Sequence, residues 1–120
     1  METYQDRVRD WLYACFGAEI ATDRIERGQR FLEEALELAQ AGDITADDAH
    51  RLVDYVYGRP QGVLFQEVGG VMTTLAALCQ AYPNLYLHEA AETELARVWR
   101  KVDEIRAKQA AKPKGSPLPA

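Results

Sequence analysis

The fold of this chain is decided by one short stretch, Arg30-Phe31-Leu32-Glu33-Glu34-Ala35-Leu36-Glu37-Leu38. At about 100° per residue, a helix places its apolar side chains on one face. These are Phe31, Leu32, Ala35, Leu36, Leu38 and the following Ala39. Glu34 borders that face, and residues three and four apart on a helix are neighbours. The stretch therefore predicts an amphipathic helix on which Glu33, Glu34 and Glu37 form one small acidic patch.

Two interpretations of this acidic patch stay open. Like charges at helical spacing repel each other, and a hard divalent cation such as Mg²⁺ or Mn²⁺, which prefers oxygen ligands, would remove that cost. Alternatively the patch is a solvated face, with Arg30 pairing Glu34 and Arg27 nearby, because charge runs on helices usually face solvent.

Glu67 favours the first interpretation. It is the only charged residue in 62–80, a segment that is apolar nearly all round and therefore predicts a buried central helix. A buried, unpaired carboxylate costs several kcal/mol, so it is expected to be protonated, paired or bound to a metal. The sequence thus predicts that Glu67 and the acidic patch share a cation.

The remaining segments predict an all-α fold of four main helices plus one short helix. The predicted helices cover 4–16, 23–42, 46–57 (the short one), 63–81 and 87–110. Gly17 is expected to end or bend the first, Thr22 or Asp23 to cap the second, and Thr45 to cap the third. No segment alternates as a strand does. The 120 residues suit one domain, 1–111, followed by a proline-rich loose tail, 112–120.

Composition excludes several classes of function. A net charge of −5 and a pI near 5.0 argue against a nucleic-acid surface, which needs clustered positive charge. Cys15 and Cys79 stand alone in apolar stretches and are expected to be buried thiols in a reducing cytoplasm. The segment 63–81 carries too many polar residues for a membrane span.

Two short motifs resemble those of the MazG-like all-α nucleoside triphosphate pyrophosphohydrolases. Glu33-Glu34-Ala-Leu-Glu37 resembles the E-E-x-x-E helix of that family, and Glu67-Val-Gly resembles the start of its later E-x-x-D helix. The likeness covers about residues 25–105. It implies a bundle that assembles as a homodimer or homotetramer and, with Mg²⁺ or Mn²⁺, converts a (d)NTP to the monophosphate and pyrophosphate. Such enzymes control nucleotide pools.

The resemblance also implies roles for individual residues. Glu34, Glu37 and Glu67 look like metal ligands, and Glu33 like a support for a second metal or for the attacking water. Gly70 stands where the family has its aspartate, so one ligand is missing. The additional helix 46–57 offers Asp54, near its apolar edge, as a replacement, although Asp54 also suits a solvent-facing position.

Substrate contacts are predicted on other helices. Lys101, with Arg97 or Arg100, would meet the outer phosphates, and Trp11, Tyr13 or Phe16 would stack on the base. A solvated face for the cations and a core position for Trp11 remain the alternatives. The missing aspartate keeps a second function open, namely a catalytically degenerate helical binding or regulatory module.

Overall fold

The computed structural model describes residues 1–111, which form six helices and no strand, so the all-α prediction is confirmed. In chain order these helices are α1 (Tyr4–Ala21), α2 (Arg24–Ala41), α3 (Ala46–Tyr57), α4 (Leu64–Gln80), α5 (Leu87–Trp99) and α6 (Val102–Ala111). The predicted tail, 112–120, lies outside the described residues. No described helix is both long enough and apolar enough to cross a membrane.

Side-chain caps fix where the first three helices begin. Thr3 accepts a hydrogen bond from the backbone N–H of Asp6 at 3.1 Å, and the Asp6 carboxylate accepts one from the Thr3 N–H at 3.0 Å. Asp23 and Thr45 each accept from the N–H three residues on, both at 3.1 Å. Each cap satisfies a backbone donor that has no partner within the helix. The predicted caps at Asp23 and Thr45 are confirmed.

Gly17 bends α1, as the sequence predicts. Its φ of 75° and ψ of 167° lie outside the helical region, and the chain resumes a helix immediately afterwards. This combination of angles is essentially restricted to glycine, because a Cβ would meet the neighbouring backbone. The bend gives the end of α1 a new direction before α2 begins.

The prediction of one long helix over 87–110 is wrong, because α5 and α6 are separate helices. In an uninterrupted helix the Val98 carbonyl would accept from the N–H of Val102. Here it accepts from the indole Nε1 of Trp11 at 3.1 Å and from the N–H of Lys101 at 3.1 Å. A tertiary hydrogen bond from α1 thus accompanies the break, and the local sequence, which has no glycine or proline there, does not signal it.

The body of the molecule is α1 packed along α5 and α6. Tyr4 Oη donates to the Ala91 carbonyl at 3.3 Å, Arg106 Nε donates to the Ala14 carbonyl at 2.7 Å, and Arg7 forms a two-point ion pair with Glu92. Few of residues 1–111 are buried: Cys15, Ala21, Cys79 and Leu95. Both cysteines are free thiols, which confirms their predicted state.

The prediction that α4 is a buried central helix is wrong for the single chain. Phe65 is 90% exposed and Leu64 is 82% exposed, and only Cys79, near the far end, is buried. The reason is that α4 packs beside α5, while no other described helix covers its first half. Glu67, which lies in that half, is therefore exposed as well.

Candidate functional site

The candidate site is an open cleft of about 680 Å³ between α1, α2 and α5, with Ile105 of α6 also in its lining. Five residues with a possible site role predicted from the sequence line it together: Trp11, Phe16, Glu33, Glu34 and Arg97. They come from three helices that are distant in the chain. We call it the α1–α2–α5 cleft.

Aromatic rings from α1 form its apolar wall. Trp11 and Phe16 pack edge to face, with ring centroids 6.0 Å apart and planes at 81°. Since the Trp11 indole N–H is bonded to the Val98 carbonyl, its ring has a fixed orientation. Half-exposed Phe31 adds a further ring from α2. A flat, apolar ligand of the size of a nucleobase would fit such a wall.

Arg27 gives this wall a partly buried positive charge. Its guanidinium lies over the Phe16 ring, 4.9 Å from the centroid, and burial lowers the pKa of Arg27. Nε and Nη2 have no hydrogen-bond partner among residues 1–111, although Nη2 lies 3.7 Å from a Glu26 carboxylate oxygen. No site role for Arg27 is predicted from the sequence. Its signal was the spacing of Arg27 and Arg30, which places both on one helix face just before the acidic patch.

Glu34 and Glu37 are exposed on α2, as the solvated-face alternative describes, whereas Glu33 is partly buried. That alternative also pairs Arg30 with Glu34, but Arg30 bonds Glu26 at 3.1 Å and Glu33 at 3.2 Å. The Glu33 carboxylate is therefore engaged in an ion pair at the rim of the cleft. Glu34 lacks this arginine, which distinguishes the two adjacent glutamates chemically.

Glu34 is the perturbed acid of the site. Partial burial raises its pKa, and the negative charges of Glu37, Glu94 and Glu33 raise it further, while Arg97 opposes them. A carboxylate with a raised pKa accepts a proton more readily than an ordinary one. Glu34 thus has the properties of a general base or of a carboxylate that binds a cation.

On α5, Arg97 faces this acid across the cleft. It donates two hydrogen bonds to Glu94, of 2.8 and 2.6 Å, and these lower the pKa of Glu94. Lys101 lies in a smaller adjoining cleft of about 210 Å³, which it shares with Arg97 and Lys108. Its Nζ is 3.6 Å from a Glu104 carboxylate oxygen. The predicted phosphate-binding cations therefore lie side by side at one end of the site.

Glu37 lies in a second cleft. This cleft, of about 410 Å³ between α2 and α3, is also lined by Glu33, Gln40 and His50. Glu33 therefore stands on the ridge between the two clefts. The structure keeps Glu34 and Glu37 close enough for their charges to interact, but their side chains line different clefts.

Glu67 is apart from the acidic patch in the single chain. Its carboxylate folds back over Gly62, where a Cβ would collide with Glu67 Oε2. It is not among the charges that shift Glu34. Gly70, in the position of the family aspartate, has as its nearest neighbour Glu67 Oε1, 3.9 Å from where its Cβ would be.

One chain does not fit the metal set that the resemblance implies. Within residues 1–111, no three His, Cys, Asp or Glu side chains come together in an arrangement that holds a metal ion. Asp54, the suggested replacement ligand, is exposed on α3 and lines none of the three clefts described above. The ligand set of Glu34, Glu37, Glu67 and Asp54 stays a prediction.

Comparison of the chain with protein-family models, with curated proteins and with solved structures found no match.

Proposed function

We propose that the protein hydrolyses a nucleoside triphosphate to the monophosphate and pyrophosphate in the α1–α2–α5 cleft. The observation that carries this proposal is the meeting of Trp11, Glu33, Glu34 and Arg97 in one cleft. An aromatic wall, a perturbed carboxylate and a cationic end are the three surfaces that a nucleotide's base, reacting phosphate and outer phosphates need.

The reaction divides among the protein's own side chains. Trp11 stacks on the base, while Arg97 and neighbouring Lys101 offset the charge of the outer phosphates. Glu34 accepts a proton from a water molecule, whose oxygen forms a bond to the α-phosphorus. The bond from that phosphorus to the bridging oxygen breaks, and pyrophosphate leaves with the electron pair. Glu33, held by Arg30, fixes the rim beside Glu34.

The proposal includes Mg²⁺ or Mn²⁺, whose contribution when bound is to neutralise phosphate charge. It also includes a cytoplasmic protein acting as a homodimer or homotetramer. These points follow from the resemblance and from the two unpaired thiols.

A second candidate function is a helical binding or regulatory module without catalysis. It is favoured by Gly70 in place of an aspartate and by the separation of Glu67 from α2. Such a module would bind a nucleotide in the same cleft and leave it intact.

One assay tests the proposal and separates the two functions. The protein is incubated with each NTP and dNTP in Mg²⁺ or Mn²⁺, and monophosphate and pyrophosphate are measured. We expect equal amounts of the two products, a loss of about a hundredfold in rate for Glu34→Gln, and no loss for Glu19→Gln, an exposed glutamate of α1. Nucleotide binding without any product would support the module, and neither binding nor product would reject both functions.

A further inference from the structure

Arg27 brings unused hydrogen-bond donors to the α1–α2–α5 cleft, which it lines. Its Nε and Nη2 atoms are buried and have no hydrogen-bond partner among residues 1–111. Other donors in the lining are engaged: Tyr4 and Trp11 donate to backbone carbonyls, and Arg97 donates to a carboxylate of its own helix. A buried donor without a partner is unfavourable, and more so when it belongs to a charged group. The cleft therefore holds a cation whose donors a ligand can satisfy.

The carboxylate beside Arg27 does not satisfy these donors. A Glu26 oxygen lies 3.7 Å from Nη2, beyond hydrogen-bond distance, and the same oxygen accepts from Arg30 Nε at 3.1 Å. Phe16, whose ring centroid is 4.9 Å from the guanidinium carbon, provides no oxygen acceptor. Nε and Nη2 form one edge of the guanidinium, and their N–H bonds suit two acceptors that lie side by side.

This edge can reach a ligand by a change of side-chain rotamer. Arg27 already lines the cleft, and no hydrogen bond to residues 1–111 holds Nε or Nη2 in place. A ligand with two adjacent acceptors would therefore gain two charge-assisted hydrogen bonds without breaking existing ones at these atoms.

The electrostatics separate Arg27 from the acid and the cation assigned to the phosphates. The charges that act on Arg27 are its neighbours in sequence, and neither Glu34 nor Arg97 is among them. Arg27 is likewise absent from the charges that act on Glu34. The cleft thus has two ends, with Arg27 and Phe16 at one and Glu34 and Arg97 at the other. If the phosphates occupy the second end, the base of the nucleotide occupies the first.

We infer that Arg27 is a specificity residue that binds the O6 and N7 edge of a 6-oxopurine such as guanine. The inference rests on the nucleotide site of the proposed function, though not on cleavage of the nucleotide. Guanine presents two acceptors on that edge, whereas adenine presents a donor beside N7, and uracil and thymine present a single acceptor. Cytosine offers O2 and N3 on another edge, but its single ring covers less of the aromatic wall than a purine does.

Equilibrium dialysis with nucleoside monophosphates tests base selection without turnover, because the proposed reaction releases these compounds and does not cleave them. We expect GMP and IMP, which both carry O6 and N7, to bind at least about tenfold more tightly than AMP, CMP and UMP. We expect 7-deaza-GMP, which lacks the N7 acceptor, to bind about tenfold more weakly than GMP.

Three variants assign this preference to the side chain. Arg27→Gln should bind all these nucleotides equally, with its affinity for AMP unchanged. Arg27→Lys keeps the charge but lacks the two-donor edge, so it should also lose the preference, and it covers the case in which Arg27→Gln does not fold. Arg24→Gln changes an exposed arginine one turn earlier on α2, outside the cleft lining, and should keep the preference.

Several outcomes would overturn the inference. These are a wild type that binds none of the monophosphates, binds all of them equally or prefers CMP, and a guanine preference that survives in folded Arg27→Gln or Arg27→Lys. Guanine-selective binding without release of pyrophosphate from GTP would reject the proposed hydrolysis alone. Hydrolysis of every triphosphate at the same rate, with equal binding of the monophosphates, would reject base selection by Arg27 alone.

Discussion

Glu34 carries a cost to stability at neutral pH. Because partial burial and the neighbouring carboxylates raise its pKa, the folded chain holds the Glu34 proton to a higher pH than the unfolded chain does. Stability therefore falls as the pH rises from the ordinary carboxyl pKa, about 4.3, through the raised value. Below both values the penalty is absent.

We expect Glu34→Gln to be slightly more stable than the wild type at pH 7. The gain should be at most about 0.5 kcal/mol, because the carboxylate is only partly buried and solvent screens it. The advantage should vanish at pH 3.5. Urea unfolding at both pH values and low salt measures it. A variant less stable than the wild type at pH 7 would contradict the electrostatic description of Glu34. Together with its loss of activity, the gain would mark Glu34 as a functional residue held at a cost.

Arg97 is the residue whose positive charge opposes the rise in the pKa of Glu34. Arg97→Gln removes that charge and also releases the Glu94 carboxylate, which it holds by two hydrogen bonds. Both changes raise the pKa of Glu34 further. We expect the acid limb of the pH dependence of kcat/KM to move upward by about half a pH unit.

The comparison variant is Arg100→Gln, which removes a nearby positive charge that is not among those acting on Glu34. It should leave the acid limb in place. An unmoved acid limb in Arg97→Gln would show that Glu34 is not the group that controls it.

Among the helices, α1 is the one whose stability depends on a glycine, Gly17, at its bend. Gly17 has backbone angles that an L-residue adopts only with strain. Gly17→Ala should therefore lower the free energy of unfolding by about 1–3 kcal/mol. Gly28→Ala, in the first half of α2, should instead raise it by up to about 1 kcal/mol, because no atom outside the neighbouring helix backbone lies within 4 Å of the added Cβ. Denaturant unfolding of the two variants makes the comparison. Equal changes in the free energy of unfolding for the two variants would show that the bend does not require glycine at position 17.

The sequence predicts local elements well and tertiary placement poorly, for physical reasons that particular residues illustrate. The caps at Asp23 and Thr45 and the bend at Gly17 depend on neighbours within four residues, so they can be deduced from the chain. The break after Trp99 accompanies a hydrogen bond from Trp11, which is 87 residues from its acceptor Val98. No local pattern reports such a contact.

The candidate site shows the same division. The acidic patch on α2 follows from helical periodicity, and the structure places Glu33 and Glu34 in one cleft with Trp11 and Arg97. The partners of Arg30 and the position of Arg27 depend on rotamers and packing, which periodicity does not determine. Burial of α4 was predicted from its apolar composition. An apolar composition indicates that a helix tends to be buried, but it does not indicate which part of the protein packs against it.

For the whole molecule, the separation of Glu67 from the acidic patch makes a prediction about the proposed homodimer. Since Glu67 is exposed and lies apart from the α2 carboxylates within one chain, we expect it to approach the α2 carboxylates of the second copy. Glu34→Gln and Glu67→Gln should each lose about a hundredfold in rate. When the two are unfolded, mixed and refolded together, half of the dimers are mixed and each holds one intact site, which restores about a quarter of the wild-type activity.

Mn²⁺ binding by equilibrium dialysis gives a second readout of the same mixture, and it should recover in the same proportion even if no nucleotide is cleaved. A mixture that stays inactive and does not bind Mn²⁺ would mean that the two glutamates never meet across chains. Activity in Glu67→Gln alone would remove Glu67 from the site altogether.

The attachment of α1 to α5 and α6 has a consequence for how the protein is made. Tyr4, Arg7, Trp11 and Ala14 all bond to residues 85 to 92 positions further along the chain. At about 5–20 residues per second, a ribosome needs roughly 4–18 seconds to synthesise that intervening length. For that time the first helix emerges with its aromatic side uncovered, which is the period in which a chaperone would find it. Helix α1 thus packs only after α5 and α6, which are synthesised later, have emerged.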